Sequence, residues 1–280
     1  MAEGLRTPMT AAAFDQAAAA YDADFAGTTA GLRLRESVWS RLARFVKPGM
    51  HALDLGCGTG EDALWLARNA CRVTAADGSP AMLEQIAAKA ARLNLAHRIR
   101  TTALDLNAPE ESEPPAGHPF DLVISNFGAI NCVDDLRVLG RKLAGWVKPG
   151  GIVALGVMGR FCAWETAYYL ARLDRRAWRR WSGRAEASIG GQGISVRYWS
   201  QRELLRALRP SFHPLATHGV GTFLPPSYLF HSVERHPRLF SALLRCESYG
   251  SHIWPLSRMG DHVLVILRRL DPADAKGRQQ

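Results

Sequence analysis

The chain has little of several things that would narrow its class at once. Only five of its 35 basic residues are lysine, and its five cysteines (Cys57, Cys71, Cys132, Cys162 and Cys246) are scattered singly. Without paired spacing they form neither a disulfide framework nor a zinc pattern, so reduced thiols and no bound metal are expected. No apolar run reaches the length of a membrane span, and the N-terminus carries no charged-then-apolar leader. A cytoplasmic location is therefore expected. Internal repeats are also missing, and 280 residues suffice for one domain with an insertion or for two small domains.

What is present begins with His51-Ala52-Leu53-Asp54-Leu55-Gly56-Cys57-Gly58-Thr59-Gly60-Glu61, an apolar strand that breaks into alternating glycines before a helical pattern. Alternate glycines let the backbone turn tightly and come close to a ligand at the N-terminus of the helix. A second strand, from Cys71, ends in Asp77, about twenty residues beyond the turn, where a parallel sheet presents a carboxylate to a ribose diol. A dinucleotide fingerprint is lacking: the third glycine comes one residue early, at Gly60, and Glu61 stands in the fingerprint position. A dehydrogenase is thereby disfavoured.

The run Leu53 to Gly60 resembles motif I of the class I S-adenosylmethionine-dependent methyltransferases, small-molecule type. Asp77-Gly78-Ser79-Pro80-Ala81-Met82 resembles that family's ribose-binding acid and the helix after it. Thr102 to Leu106 is similar to the segment whose acid, here Asp105, meets the adenine amino group. Phe120 to Asn126 resembles the strand that ends beside the methionine part of the cofactor, and Val147-Lys148-Pro149-Gly150-Gly151 the turn before the fifth strand. The resemblance covers residues 10–157 and a final strand. It implies S-adenosyl-L-methionine as cofactor, held by Tyr21, Asp54, Gly56, Gly58, Gly60, Asp77, Gly78, Met82, Asp105, Leu106, Asn126 and Phe127. For Tyr21, ordinary helix packing is an equal alternative.

Alternating strands and helices from Val73 to Val157 argue a doubly wound, mostly parallel sheet with right-handed crossovers. With the resemblance, the expected fold is α/β and Rossmann-like: seven strands, the last antiparallel, with a mainly helical lid insertion. The expected layout is N-terminal cofactor-covering helices over 1–50, the core over 51–157, lid insertions with a further helix and strand over 158–260, the final strand over 261–270 and a disordered tail over 271–280. Glu110 to Pro119 reads as a surface loop.

The insertion holds the basicity. Between Arg160 and Arg209 there are 11 arginines against four acids, in a chain of net charge +9. At α-helical spacing Arg172, Arg175, Arg176, Arg179 and Arg180 share one face, with Leu170, Leu173, Ala177 and Trp181 on another. Such a face is open to three readings: solvation, attraction of an anionic acceptor or carrier, or contact with a membrane surface or nucleic acid. Nucleic acid is disfavoured, since no RNA-binding module is appended and Asn126-Phe127-Gly128-Ala129 replaces the Asn-Pro-Pro-Tyr of base methylation. Trp164, Tyr168, Arg172 and Tyr198 are candidates for lining an acceptor pocket, and His231 and Tyr228 for a general base. The expected activity is methyl transfer to a small molecule, foremost to a hydroxyl of a secondary metabolite. The alternatives are C- or N-methylation of a quinone or lipid precursor, and a non-catalytic cofactor-binding partner subunit.

Overall fold

The computed structural model describes residues 9–108 and 115–271. Two N-terminal helices, α1 (Met9–Ala17) and α2 (Thr29–Leu42), flank a π-helical turn at Asp22–Ala26. The core follows as β1 (His51–Leu55), α3 (Glu61–Arg68), β2 (Arg72–Asp77), α4 (Pro80–Arg92), β3 (Ile99–Ala103), β4 (Phe120–Ser125), α5 (Leu136–Trp146) and β5 (Val147–Met158). After it come α6 (Ala163–Leu170), a 3-10 helix (Arg175–Ser182), β6 (Arg184–Ile189), β7 (Gln192–Arg197) and α7 (Gln201–Leu208). The described chain closes with β8 (Phe212–Val220), α8 (Ser227–Glu234), α9 (Pro237–Gly250) and β9 (His262–Arg269).

Seven strands form one sheet in the order β3-β2-β1-β4-β5-β9-β8, in which β9 runs antiparallel to both its neighbours. The period of two along each strand divides the apolar residues between two cores. Leu122, Ile124, Leu264 and Ile266 pack under α2, α3 and α4 with Leu34, Val38, Leu66 and Ile86. Val123, Val265 and Leu267 face the other way, onto Leu139, Leu143 and Trp146 of α5 and Leu204 and Leu208 of α7. Ser79, followed by Pro80, caps α4 by accepting the Met82 N–H, and Ser200 with Glu203 forms a capping box on α7. The strand order reverses between β1 and β4, so the loops after these strands diverge and leave a crevice at the carboxyl edge.

The insertion is mostly helical, through α6, the 3-10 helix, α8 and α9, but it also contains an antiparallel hairpin that was not expected, β6–β7, turned by Gly190-Gly191 with both φ angles positive. Ile194 and Val196 of the hairpin pack on Ala13 of α1, so this hairpin buttresses the N-terminal segment. The five arginines do not share a face. Leu173 (φ 53°) ends the turn after α6, the Asp174 side chain accepts the Arg176 N–H, and the chain restarts as a 3-10 helix. Residues 110–114 of the expected surface loop and 272–280 of the expected tail lie outside the described residues.

Candidate functional site

At the reversal of strand order lies a cleft whose empty space, counted out to its solvent mouth, is about 840 Å³. The loops after β1 (Gly56, Cys57, Gly58), β2 (Asp77, Gly78), β3 (Leu104 to Asn107) and β4 (Asn126, Phe127) build its floor. Thr10, Ala11, Phe14 and Tyr21 from the N-terminal segment cover it, and Met82 and Arg35 close its sides.

The three glycines after β1 have three different reasons. A Cβ on Gly56 would overlap Ala129 Cβ, and one on Gly60 would lie 2.7 Å from Ile86 Cβ, so these two serve the packing of the loop and of α3 against α4. At Gly58 (φ 51°) a Cβ would meet only Tyr21 Cε1, at 4.0 Å. That space is the cleft. Gly58 is thus the position where the backbone lies bare to a ligand.

Carboxylates mark the ends of this loop system. Asp77 accepts the Gly58 N–H (2.8 Å) and the Ser79 N–H (2.9 Å), which fixes its plane and leaves a lone pair on each oxygen. Burial raises its pKa, opposed by those N–H bonds. Asp105 accepts the Asn107 N–H (2.9 Å) in the loop after β3. Asp54 is buried beneath the cleft rather than in its wall, and burial followed by the nearby Asp62 pushes its carboxyl well above the usual range.

A buried cation enters from α2. Arg35 Nη1 donates to Asp62 (2.9 Å), which also accepts from Trp39 Nε1 (2.6 Å), and the guanidinium lies 4.7 Å from the Phe127 ring centroid. Among the described residues neither Arg35 Nε nor Asn126 Nδ2 has a hydrogen-bond partner. Two buried donors are therefore available at the cleft beside Phe127, itself held at φ 48°. A bare glycine facing a fixed carboxylate, with two unpartnered donors across the cleft, fits a nucleoside bearing an amino-acid carboxylate.

The cover is held by charge. Lys89, buried, bridges Asp22 (2.6 Å) and Glu61 (2.7 Å), and Thr59 Oγ1 donates to Asp22 (2.6 Å). Asp15 of α1 accepts from Ser79 Oγ and the Ala81 N–H at the start of α4. Cys57 and Cys132 also line the cleft, and burial raises both thiols, that of Cys132 to about 11. Neither is a thiolate at neutral pH.

Of the sequence-predicted cofactor residues, Tyr21, Gly56, Gly58, Asp77, Gly78, Met82, Asp105, Leu106, Asn126 and Phe127 line this one cleft, whereas Asp54 and Gly60 stand behind it. The proposed acceptor and base residues lie elsewhere. Tyr228 donates to Glu165 Oε2 (3.2 Å) and packs edge-on to Tyr168, whose ring carries Arg172 at 3.8 Å. Burial and Glu165 raise the Tyr228 hydroxyl far above its ordinary value, the opposite of what a base needs. Tyr198 packs under Arg180, Trp164 is half-buried on α6, and His231 is exposed near Glu234. None of the six lines the cleft. Arg35 was not among the residues singled out, although it shares the buried face of α2 with Leu34, Val38 and Leu42. A charge in an apolar stripe was the available signal.

Residues 52–151 match the family model described as a methyltransferase domain. The ribosomal protein L11 methyltransferase of Burkholderia mallei (strain NCTC 10229) is 33% identical over 144 residues, which is 51% of this chain and 43% of that protein. That of Burkholderia ambifaria (strain MC40-6) is 35% identical over 145 residues, with the same shares. The chain thus spans less than half the length of these curated relatives. Among solved structures, an S-adenosylmethionine-dependent methyltransferase from Mesorhizobium loti aligns with a TM-score of 0.53 at 20% identity, over 83% of this chain and 98% of that one. Geranyl diphosphate C-methyltransferase from Streptomyces coelicolor A3(2) aligns at 0.51 and 16%, over 85% and 78%. The [4+2]-cyclase SpnF shares the fold at 0.54 and 21%, over 85% and 81%. Residues 52–151 are thus a methyltransferase domain, the chain has the fold of the S-adenosylmethionine-dependent methyltransferases, and the motif residues of that domain gather in one cleft.

Proposed function

We propose that the chain binds S-adenosyl-L-methionine in this cleft and transfers its methyl group to a hydroxyl of a small molecule. The carrying observation is the juxtaposition of bare Gly58, fixed Asp77 and the unpartnered donors of Arg35 and Asn126. Asp77 takes the ribose diol, the loop at Asp105 and Leu106 borders the adenine, and Arg35 with Asn126 meets the amino-acid end. When bound, the cofactor supplies a methyl group already activated on a sulfonium. Phe14, Tyr21 and Phe127 would exclude water from the methyl group, and Phe127 and Cys132 would border the acceptor.

Among the described residues no histidine lines the cleft, its two cysteines keep their protons, and Asp62 is engaged by Arg35 and Trp39. This supports an acceptor whose hydroxyl is acidic enough to lose its proton to solvent, such as a phenol or enol. The test is incubation with methyl-labelled cofactor and a panel of phenols, enols, amines and ribosomal proteins, read by mass spectrometry. A gain of one methyl on a phenolic or enolic oxygen supports the reading. Label confined to amine nitrogen, carbon or protein overturns it.

A further inference from the structure

The 3-10 helix Arg175–Ser182 sorts its side chains by a period of three. Ala177 and Arg180 form the buried row, and Arg175, Trp178 and Trp181 form an exposed one. The two indoles lie 5.4 Å apart, 52% and 57% exposed, and Leu173 in the preceding turn is 95% exposed. Leu170 is also exposed, as are Arg172, Arg175, Arg176 and Arg184 around this apolar surface. From 170 to 184 there are six arginines and one acid, Asp174, which pairs with Arg176.

The row is held firmly from behind. Arg180 donates to Glu165 (2.8 Å) and Asp261 (2.5 Å), and Arg179 forms a two-pronged bridge to Glu165 (2.8 and 2.9 Å). Arg180 and Arg179 pull Glu165 below its ordinary pKa against the opposing effect of burial. Asp261 adjoins His262, whose ring lies 5.2 Å from that of Phe127 in the cleft. The tryptophans thus stand on a rigid mount connected to the site.

We propose that Leu170, Leu173, Arg175, Trp178 and Trp181 form a docking surface for an anionic lipid bilayer. Indoles favour the boundary between water and acyl chains, arginine stems extend past them to the headgroups, and an aliphatic side chain this exposed gains by entering hydrocarbon. Nucleic acid would use the arginines and indoles but offers nothing to Leu170 and Leu173. A two-fold contact with a second copy would set the four exposed arginines, Arg172, Arg175, Arg176 and Arg184, against the same four. The inference is independent of which acceptor is methylated.

The test is co-sedimentation of the full chain with vesicles of phosphatidylglycerol and phosphatidylcholine, and with phosphatidylcholine alone. Binding to the anionic vesicles, weakened by salt, is expected. Replacing Trp178 and Trp181 together by serine should lower partitioning by about tenfold or more, and Arg172→Gln or Arg175→Gln by about fivefold each. These exposed substitutions should leave the melting temperature and cofactor affinity unchanged, which separates a failure of docking from a failure to fold. Wild-type protein that ignores anionic vesicles overturns the proposal, as does a double-serine variant that binds them equally. So does a dimer, or an RNA complex, that the same variant abolishes while no vesicle binding is seen.

Discussion

The cofactor cleft and the insertion beside it are stabilised in different ways. In the cleft the main chain does most of the positioning: Asp77 is clamped by two N–H groups, Gly58 lies bare, and Gly56 and Gly60 are dictated by backbone packing. In the insertion side chains hold one another, with Arg179, Arg180, Asp261 and Tyr228 converging on or near Glu165. A main-chain site tolerates few substitutions and suits a ligand that never changes. A side-chain network can be exchanged residue by residue.

The contrast breaks first at Gly58. Gly58→Val adds a β-branched side chain at positive φ, in space left for the ligand, and should abolish cofactor binding in calorimetry while circular dichroism stays near wild type. Retained binding would mean that the bare backbone is not the contact. The converse variant is Glu165→Gln, which leaves buried Arg180 short of a charged partner. Because Asp261 still pairs with Arg180, it should destabilise the fold by about 1–3 kcal/mol in denaturant melts and leave cofactor affinity intact. A loss of affinity matching the loss of stability would show that the two regions are one unit.

Smaller effects sharpen the comparison. Asp77→Ala should weaken cofactor binding roughly 100-fold or more, the loss of two hydrogen bonds from the ribose diol to a charged group. The smallest effect is at His218 on β8, where among the described residues neither ring nitrogen has a hydrogen-bond partner. Burial first, then Arg41, Arg44 and His252, lower its pKa to about 4 from 6.5. The unfolded chain then binds a proton that the folded chain refuses, so this contribution to stability is complete above pH 6.5 and is lost as pH falls towards 4. His218→Asn should flatten the pH dependence of the melting temperature over that window.

The core was legible because buried parallel strands are short apolar runs punctuated by functional turns, as at Leu53 to Gly60 and Val73 to Asp77. The insertion was less so. Residues three apart lie close on both an α-helix and a 3-10 helix, so the arginine spacing could not separate them; Asp174, a capping residue in mid-pattern, was the sign of a break. Gly190-Gly191 between alternating residues announced a hairpin that the expectation of helix passed over. Arg35 was hidden because its partner, Asp62, lies 27 residues away, a distance that local pattern does not reach.

Titration of the wild-type chain by calorimetry with S-adenosylmethionine, its demethylated product and NAD tests the central claim most directly. One site for the first two and no heat with NAD are expected. Binding of NAD, or none of S-adenosylmethionine and its product, would contradict it.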